Sequence, residues 1–445
     1  MKLNVTAQAK PVFTHEGAPA FLHLTPLQAL RRSVLSCLLW ENEFYEDGQS
    51  IAARIEKLAE EVKVTELAAL AIEAREKYNL RHVPLLLLCA LAKRGVKSSI
   101  VSETIFQTIQ RADELTELCA IYWRNGKVPL SAQMKKGLAR AFGKFNAYQL
   151  AKYNRDGQVK LRDVLRLVHA KPNAEQEEVW KKLMNGTLES PDTWEVALSG
   201  GANKKETFTR LLLEKKLGYL ALLRNLRNMQ ESGVDANLIR GAILERRGAD
   251  KVLPFRFTAA ARIVPMFEPE LDAALLTGIM QMETLQGRTA ILVDVSGSMN
   301  ERLSAKSDLT RRDAAATLAS IFPGNCRVFA FADVITEVPP RKGMAGVDAI
   351  NNCPRGGTRL FDAIEEINKK VPYDRIVVIT DEQTTGFKRQ HFEQSALQTC
   401  PAPKGKGYII NVASAQNGVG YGPWVHIDGF SEQVINFILE HERQV

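Results

Sequence analysis

Between Leu27 and about residue 246 the apolar residues recur at three- and four-residue steps and almost never at every second position. Leu27, Leu30, Val34, Leu35 and Leu38 set the rhythm. Thr25-Pro26 ahead of them supplies a capping residue followed by proline at the first helical position. The same spacing predicts amphipathic helices over 49–61, 65–77, 83–93, 98–109, 112–123, 131–143, 147–153, 161–168, 174–184, 206–213, 217–230 and 235–246. The joins are short and carry turn dipeptides such as Asp47-Gly48, Asn125-Gly126 and Asp156-Gly157. Each such helix must bury its apolar stripe on a neighbour, so the economical arrangement is an array of paired helices stacked as in a solenoid. No strict sequence repeat accompanies it. Residues 1–25 are polar and turn-rich and read as an arm, and the helical pattern fades over Phe255 to Asp272.

From Arg288 the period changes. Apolar strands at Thr289–Val293, Cys326–Phe331, Arg375–Ile379, Tyr408–Val412 and Trp424–Ile427 alternate with helices at Arg311–Ile321, Leu360–Asn368, Gln390–Leu397 and Ser431–His441. Continuous runs such as Ile376-Val377-Val378-Ile379 are what strands buried on both faces look like. An open, mostly parallel sheet wrapped by helices follows, with ligands expected at the carboxyl ends of its strands. The chain therefore reads as multidomain, with an all-helical part over 1–275 and an α/β part over 285–445.

Charge sharpens this division. The whole chain carries a formal net charge of +8. Residues 285–445 hold 18 Lys/Arg against 18 Asp/Glu, so the excess lies in residues 1–284, with 41 against 33. Within 121–172 there are 12 Lys/Arg and two acids, Asp156 and Asp163. Lys136, Arg140 and Lys144 recur every four residues and share a helix face, as do Arg162, Arg166 and His169. Stripes of this kind track a phosphate backbone without reading bases. We therefore take Lys135, Lys136, Arg140, Lys144, Lys152, Arg155, Arg162, Arg166, His169 and Lys171 as candidate nucleic-acid contacts. The aromatics Phe142, Phe145, Tyr148 and Tyr153 lie among them as candidates for base stacking, although Phe142 and Phe145 sit on one side and some of the four must be core.

The second concentration of chemistry is Asp294-Val295-Ser296-Gly297-Ser298, where the first α/β strand ends in an acid and two hydroxyls at alternate positions. Gly297 breaks the strand and lets the three side chains curl together. Gly356-Gly357-Thr358 precedes a helix on the same edge, and Asp381 follows the strand ending at Ile379. Asp294, Ser296, Ser298, Thr358 and Asp381 make an oxygen-only donor set, suited to Mg²⁺ or another hard divalent cation. Enzyme motifs are missing. An aspartate-nucleophile phosphatase needs a second Asp where Ser296 stands, and neither Gly-x-Ser-x-Gly nor a glycine-rich phosphate loop is present. The six cysteines are scattered without metal or disulfide spacing. The amino terminus has no apolar signal core, and the longest apolar run, Val83 to Leu91, is too short for a bilayer. A cytoplasmic protein is expected.

These five positions and their setting resemble a von Willebrand factor A domain, a doubly wound, Rossmann-like fold with a metal-ion-dependent adhesion site. That resemblance implies Mg²⁺ held by the hydroxyls and acids, with one position left for a partner's carboxylate. The helical part resembles another family through Lys152-Tyr153, Leu161-Arg162-Asp163-Val164-Leu165-Arg166-Leu167-Val168-His169-Ala170-Lys171-Pro172 and Ala221-Leu222-Leu223-Arg224-Asn225-Leu226. These stretches are similar to the TROVE module of the Ro autoantigen proteins and their bacterial relatives, which join HEAT-like helical repeats to a von Willebrand A domain in this order. The resemblance implies a noncatalytic ring that takes single-stranded 3′ ends of misfolded small RNAs, with Y-like RNAs on its outer surface and a nuclease or RNA-repair enzyme as a possible partner. It places His169 and Lys171 next to the RNA. The chain is shorter than the animal members, so some of the family's inserts are expected to be absent. A monomer acting in RNA quality control is expected. The competing reading is a metal-dependent adhesion or assembly adaptor with no primary RNA role.

Overall fold

The computed structural model describes residues 12–14, 17–20, 25–35, 48–95, 97–302, 309–385, 399–413, 418–429 and 433–444. The chain divides into two compact units. One gathers Met1–Cys37, Glu41–Gly48 and Leu253–Val445; the other is essentially Gln49–Val252, with Leu38–Trp40.

The second unit is helical throughout its described residues. Helices Val64–Glu76, Ile100–Thr108, Ala132–Phe142 and Leu161–Val168 stack in one layer, and His82–Lys93 packs on Ala112–Tyr122 in another. The apolar stripes drive this stacking: Leu85 to Leu88 and Leu115, Leu118, Leu138 and Val164 are all buried. Helices start at side-chain caps where the sequence offers them, Ser131, Asn146, Asn173, Thr193, Asn203 and Asp235 accepting from backbone N–H groups of the first turn. One glycine is required for packing. A Cβ at Gly137 would lie 2.8 Å from Ile105 Cβ and 3.0 Å from Ser102 Cα, so the helices Ala132–Phe142 and Ile100–Thr108 meet backbone to backbone there.

The first unit holds two sheets among its described residues. β1 (Val12–Phe13) and β2 (Pro19–Ala20) form a short antiparallel hairpin. The strands β3 (Arg288–Asp294), β4 (Asn325–Phe331), β5 (Ile335–Val338), β6 (Arg375–Thr380), β7 (Lys406–Asn411) and β8 (Val425–Asp428) make a six-stranded sheet. Its order is β5-β4-β3-β6-β7-β8, parallel except for the antiparallel edge strand β5. All six residues of β6 are buried, and β3 is buried from Thr289 onward, as two covered faces demand.

Three expectations change. Residues 255–272 do not lose helicity: helices Phe255–Ile263 and Glu268–Met280 occupy them. Pro254, Pro265 and Pro269 stand at or before the first helical turn, where proline is tolerated. Where the expected arm is described it is packed: Ala18 is fully buried in the core with Leu292 and Ile376, and the Thr14 hydroxyl donates to the Thr384 carbonyl at 2.7 Å. Residues 1–11, 15–16 and 21–24 lie outside the described residues. Finally, the helix Gly343–Asn351 and β5 were not foreseen; Gly346 is needed for close packing, since a Cβ there would meet the Arg341 carbonyl at 2.4 Å. The helix expected at Gln390–Leu397 lies outside the described residues.

Candidate metal centre and basic surface

Parallel registry of β3 with β6 aligns their carboxyl ends, Val293 opposite Ile379, and this brings Asp294 and Asp381 to one place. Both are fully buried, as are Ser296 and Thr358, and Ser298 is nearly so. The turn after β3 is held by its own acid: the Ser296 N–H donates to Asp294 Oδ1 at 2.9 Å. The Thr380 hydroxyl donates to the other oxygen, Oδ2, at 2.6 Å. The hydroxyls of Ser296 and Ser298 stand 3.4 Å apart. The glycine loop joins them through the Gly297 N–H, which donates to the Gly356 carbonyl at 3.1 Å. Thr358 is fixed from behind, its carbonyl accepting from the Thr385 N–H at 3.0 Å and the Thr384 hydroxyl at 2.8 Å.

The structure thus brings Asp294, Ser296, Ser298 and Asp381 together, with Thr358 two residues along from the loop carbonyl that is bonded to their turn. Their electrostatics are unbalanced. Burial, and then the neighbouring charge of Asp381, pushes the Asp294 carboxyl up to about 7. Burial likewise raises Asp381. Thr358 Oγ1 and Asp381 Oδ2 are buried with no hydrogen-bond partner, although such atoms are normally satisfied. Two buried acids beside one unpartnered carboxylate oxygen, on Asp381, and one unpartnered hydroxyl, on Thr358, fit a small hard cation. Among the described residues no group of three or more His, Cys, Asp or Glu could hold a metal, so hydroxyls would have to supply much of any shell here.

Sequence reasoning missed two members of the cluster. Thr380 orients Asp294 through the bond described above. Arg311, at the first turn of the helix Arg311–Ile321, places Nη1 3.8 Å from Asp381 Oδ2 with both side chains buried. Nothing in the spacing of the five donors pointed to an arginine. A further buried pair lies next door: Arg32 Nη1 donates to Glu382 Oε1 at 2.5 Å, and the other oxygen accepts from the Val419 N–H at 2.8 Å.

In the helical unit the candidate RNA contacts divide by environment. Lys136, Arg140, Arg155, Arg166, His169 and Lys171 are exposed, while Lys135, Lys152 and Arg162 are half-buried. Among the described residues none of Lys135, Lys136, Arg140, Lys144, Lys152, Arg155, Arg162, Arg166 and Lys171 forms an ion pair, and the exposed Asp156 is bound instead to Lys160. The Arg140 guanidinium lies 4.6 Å from the centre of the Phe106 ring. Lys144 has a structural task, donating to the carbonyls of Phe106 at 2.7 Å and Ile109 at 2.6 Å at the carboxyl end of the helix Ile100–Thr108. His169 ends the helix Leu161–Val168 in a left-handed conformation with φ of 51°. Phe142 and Phe145 are buried and are core residues, Phe142 meeting the Trp180 ring edge-on at 5.2 Å between centroids. Tyr148 is exposed, and Tyr153 lies under the Arg111 guanidinium at 4.7 Å.

Fold and site together define a helical-repeat protein carrying an α/β domain of the von Willebrand factor A type. The family model of the TROVE domain matches residues 27–187 and 180–314, more than half of the chain, and the chain belongs to the TROVE-domain family. That membership makes it an RNA-binding protein of the Ro family. The crystal structure of the Ro (RSR) protein of Deinococcus radiodurans shares the fold, with a TM-score of 0.58 at 17% identity over 95% of this chain and 100% of that one. None of the curated proteins matches the sequence. No helix among the described residues is long and apolar enough to cross a membrane.

Proposed function

We propose that the protein is a noncatalytic component of cytoplasmic RNA quality control that holds single-stranded 3′ ends of misfolded small noncoding RNAs, together with Y-like RNAs. The observation that carries this reading is that the exposed Lys136, Arg140, Arg155, Arg166 and Lys171 have no acidic partners among the described residues. A protein that used these charges for its own stability would pair them; unpaired, they are available to phosphates. Closure of the helices into a ring, a monomeric state, and handover to a nuclease or repair enzyme belong to the same proposal.

In the α/β unit, Asp294, Ser296, Ser298, Thr358 and Asp381 would hold Mg²⁺. The bound ion would offset the two carboxylates and keep positive charge for an acidic ligand or partner protein. Thr380 orients Asp294 for this role, and the loop behind Thr358 keeps its hydroxyl in place.

A salt titration of small-RNA binding tests the main reading. For single strands the logarithmic slope is about −0.7 per neutralised phosphate, so several contacts give a slope several times as steep. RNA binding that is absent or insensitive to salt would instead favour a metal-dependent protein adaptor.

A further inference from the structure

Arg312 lies one residue from the candidate metal centre and takes no part in it. Its side chain is 8% exposed, and both Nε and Nη1 are buried without a hydrogen-bond partner. No ion pair relieves it among the described residues. The acid beside it, Asp313, is saturated. Its Oδ2 accepts from the Thr310 N–H at 2.9 Å, the Thr310 hydroxyl at 2.9 Å and Arg262 Nη1 at 2.7 Å. Its Oδ1 accepts from Asn351 Nδ2 at 3.0 Å.

The surroundings add positive charge. Burial, and then the repulsion of Arg355, exposed and just ahead of the Gly356-Gly357-Thr358 loop, and of Arg262, draws the guanidinium down from its ordinary value. The helix Arg311–Ile321 begins here and adds its amino-terminal dipole. A guanidinium nine-tenths buried, with Nε and Nη1 unpartnered and like charges nearby, is a costly arrangement for a protein to keep. An oxyanion would relieve it.

Asn351 narrows the choice of anion. Its Oδ1 is buried and unpartnered, so the neighbourhood lacks a donor as well as a negative charge. A phosphodiester carries no donor. An acidic residue in a peptide offers a carboxylate and an amide N–H together. We propose that Arg312, assisted by Arg355, forms a carboxylate-binding subsite at the amino-terminal end of the helix Arg311–Ile321, fitted to an acidic side chain of a peptide partner. This deepens the docking role proposed for the α/β unit, but it needs no metal.

The test uses the full chain in EDTA, so that failure of this subsite and failure of the metal reading are separable. Binding of N-acetyl-Glu-Glu-amide and of inorganic phosphate is followed by NMR titration in wild type, Arg312→Met and Arg355→Ala. The dipeptide is expected to bind wild type, to lose about tenfold or more in affinity in Arg312→Met, and to lose less in Arg355→Ala. Urea unfolding without ligand supplies the second measurement. Because Arg312 has no partner to strand, Arg312→Met should be at least as stable as wild type. The subsite is refuted by dipeptide binding that is absent or indifferent to Arg312, or by a marked loss of stability in ligand-free Arg312→Met. Phosphate binding tighter than the dipeptide, with the same dependence on Arg312, overturns the peptide as occupant.

Discussion

Thr358 separates what a residue does for the fold from what it does for a ligand. Its hydroxyl is buried and unpartnered, and a lone buried polar group costs about 1–3 kcal/mol. Thr358→Val keeps the shape and removes that cost. In EDTA the variant should therefore unfold at the same or a higher urea concentration than wild type, while its Mg²⁺ affinity, measured by calorimetry, should fall. A loss of stability in EDTA would mean that the hydroxyl already serves the fold. Gly137 is the opposite case, a residue with only a structural role. A methyl group there meets the backbone of Ser102 at 3.0 Å, so Gly137→Ala should destabilise the protein by about 1–3 kcal/mol in urea melts. Single residues were unevenly legible in the sequence. The five oxygens carry their spacing with them, whereas Arg311 and Arg312 are distinguished only by burial and by which acids are already taken.

At the scale of elements, periodicity served well wherever a helix has one wet and one dry face. The expected 161–168 and 147–153 match the observed helices Leu161–Val168 and Ala147–Tyr153. It served poorly where prolines open helices, at Phe255–Ile263 and Glu268–Met280, and where glycines permit close packing, at Gly343–Asn351. Pairings between distant elements leave no local trace at all. The helix Pro26–Leu35 is tied to the loop after β6 by Arg32 and Glu382, 350 residues apart and almost wholly buried. Leaving one partner of a buried ion pair without the other costs about 3–5 kcal/mol, so Arg32→Met should lower the unfolding midpoint by a margin that surface substitutions do not reach. The basic helix Ala132–Phe142 yields a different kind of prediction. Lys136 and Arg140 are exposed and unpaired by acids, so replacing both with Ala should leave the urea midpoint nearly unchanged. RNA affinity should weaken across sequences, with a shallower salt slope. Unchanged affinity would remove both from the interface.

For the whole molecule the question is whether its two concentrations of chemistry act independently. The excess positive charge belongs to residues 1–284, while residues 285–445 are balanced, so long-range attraction of RNA arises mainly from the helical part. The five oxygens all come from the α/β unit, and their shared defect is a deficit of positive charge between two buried acids. Asp294→Ala removes one of those acids and the group that orders the Ser296 turn. Saturating Mg²⁺ should raise the stability of the wild type, by about 2.7 kcal/mol at one hundred times its dissociation constant, and should do nothing for the variant. If the two functions are separate, the variant binds small RNA with wild-type affinity and an unaltered salt slope. Loss of RNA binding in parallel with loss of Mg²⁺ would show instead that the ion and the RNA favour the same state of the protein. Linkage would then require RNA to tighten Mg²⁺ binding by the same factor, which calorimetry in the presence of RNA would measure directly.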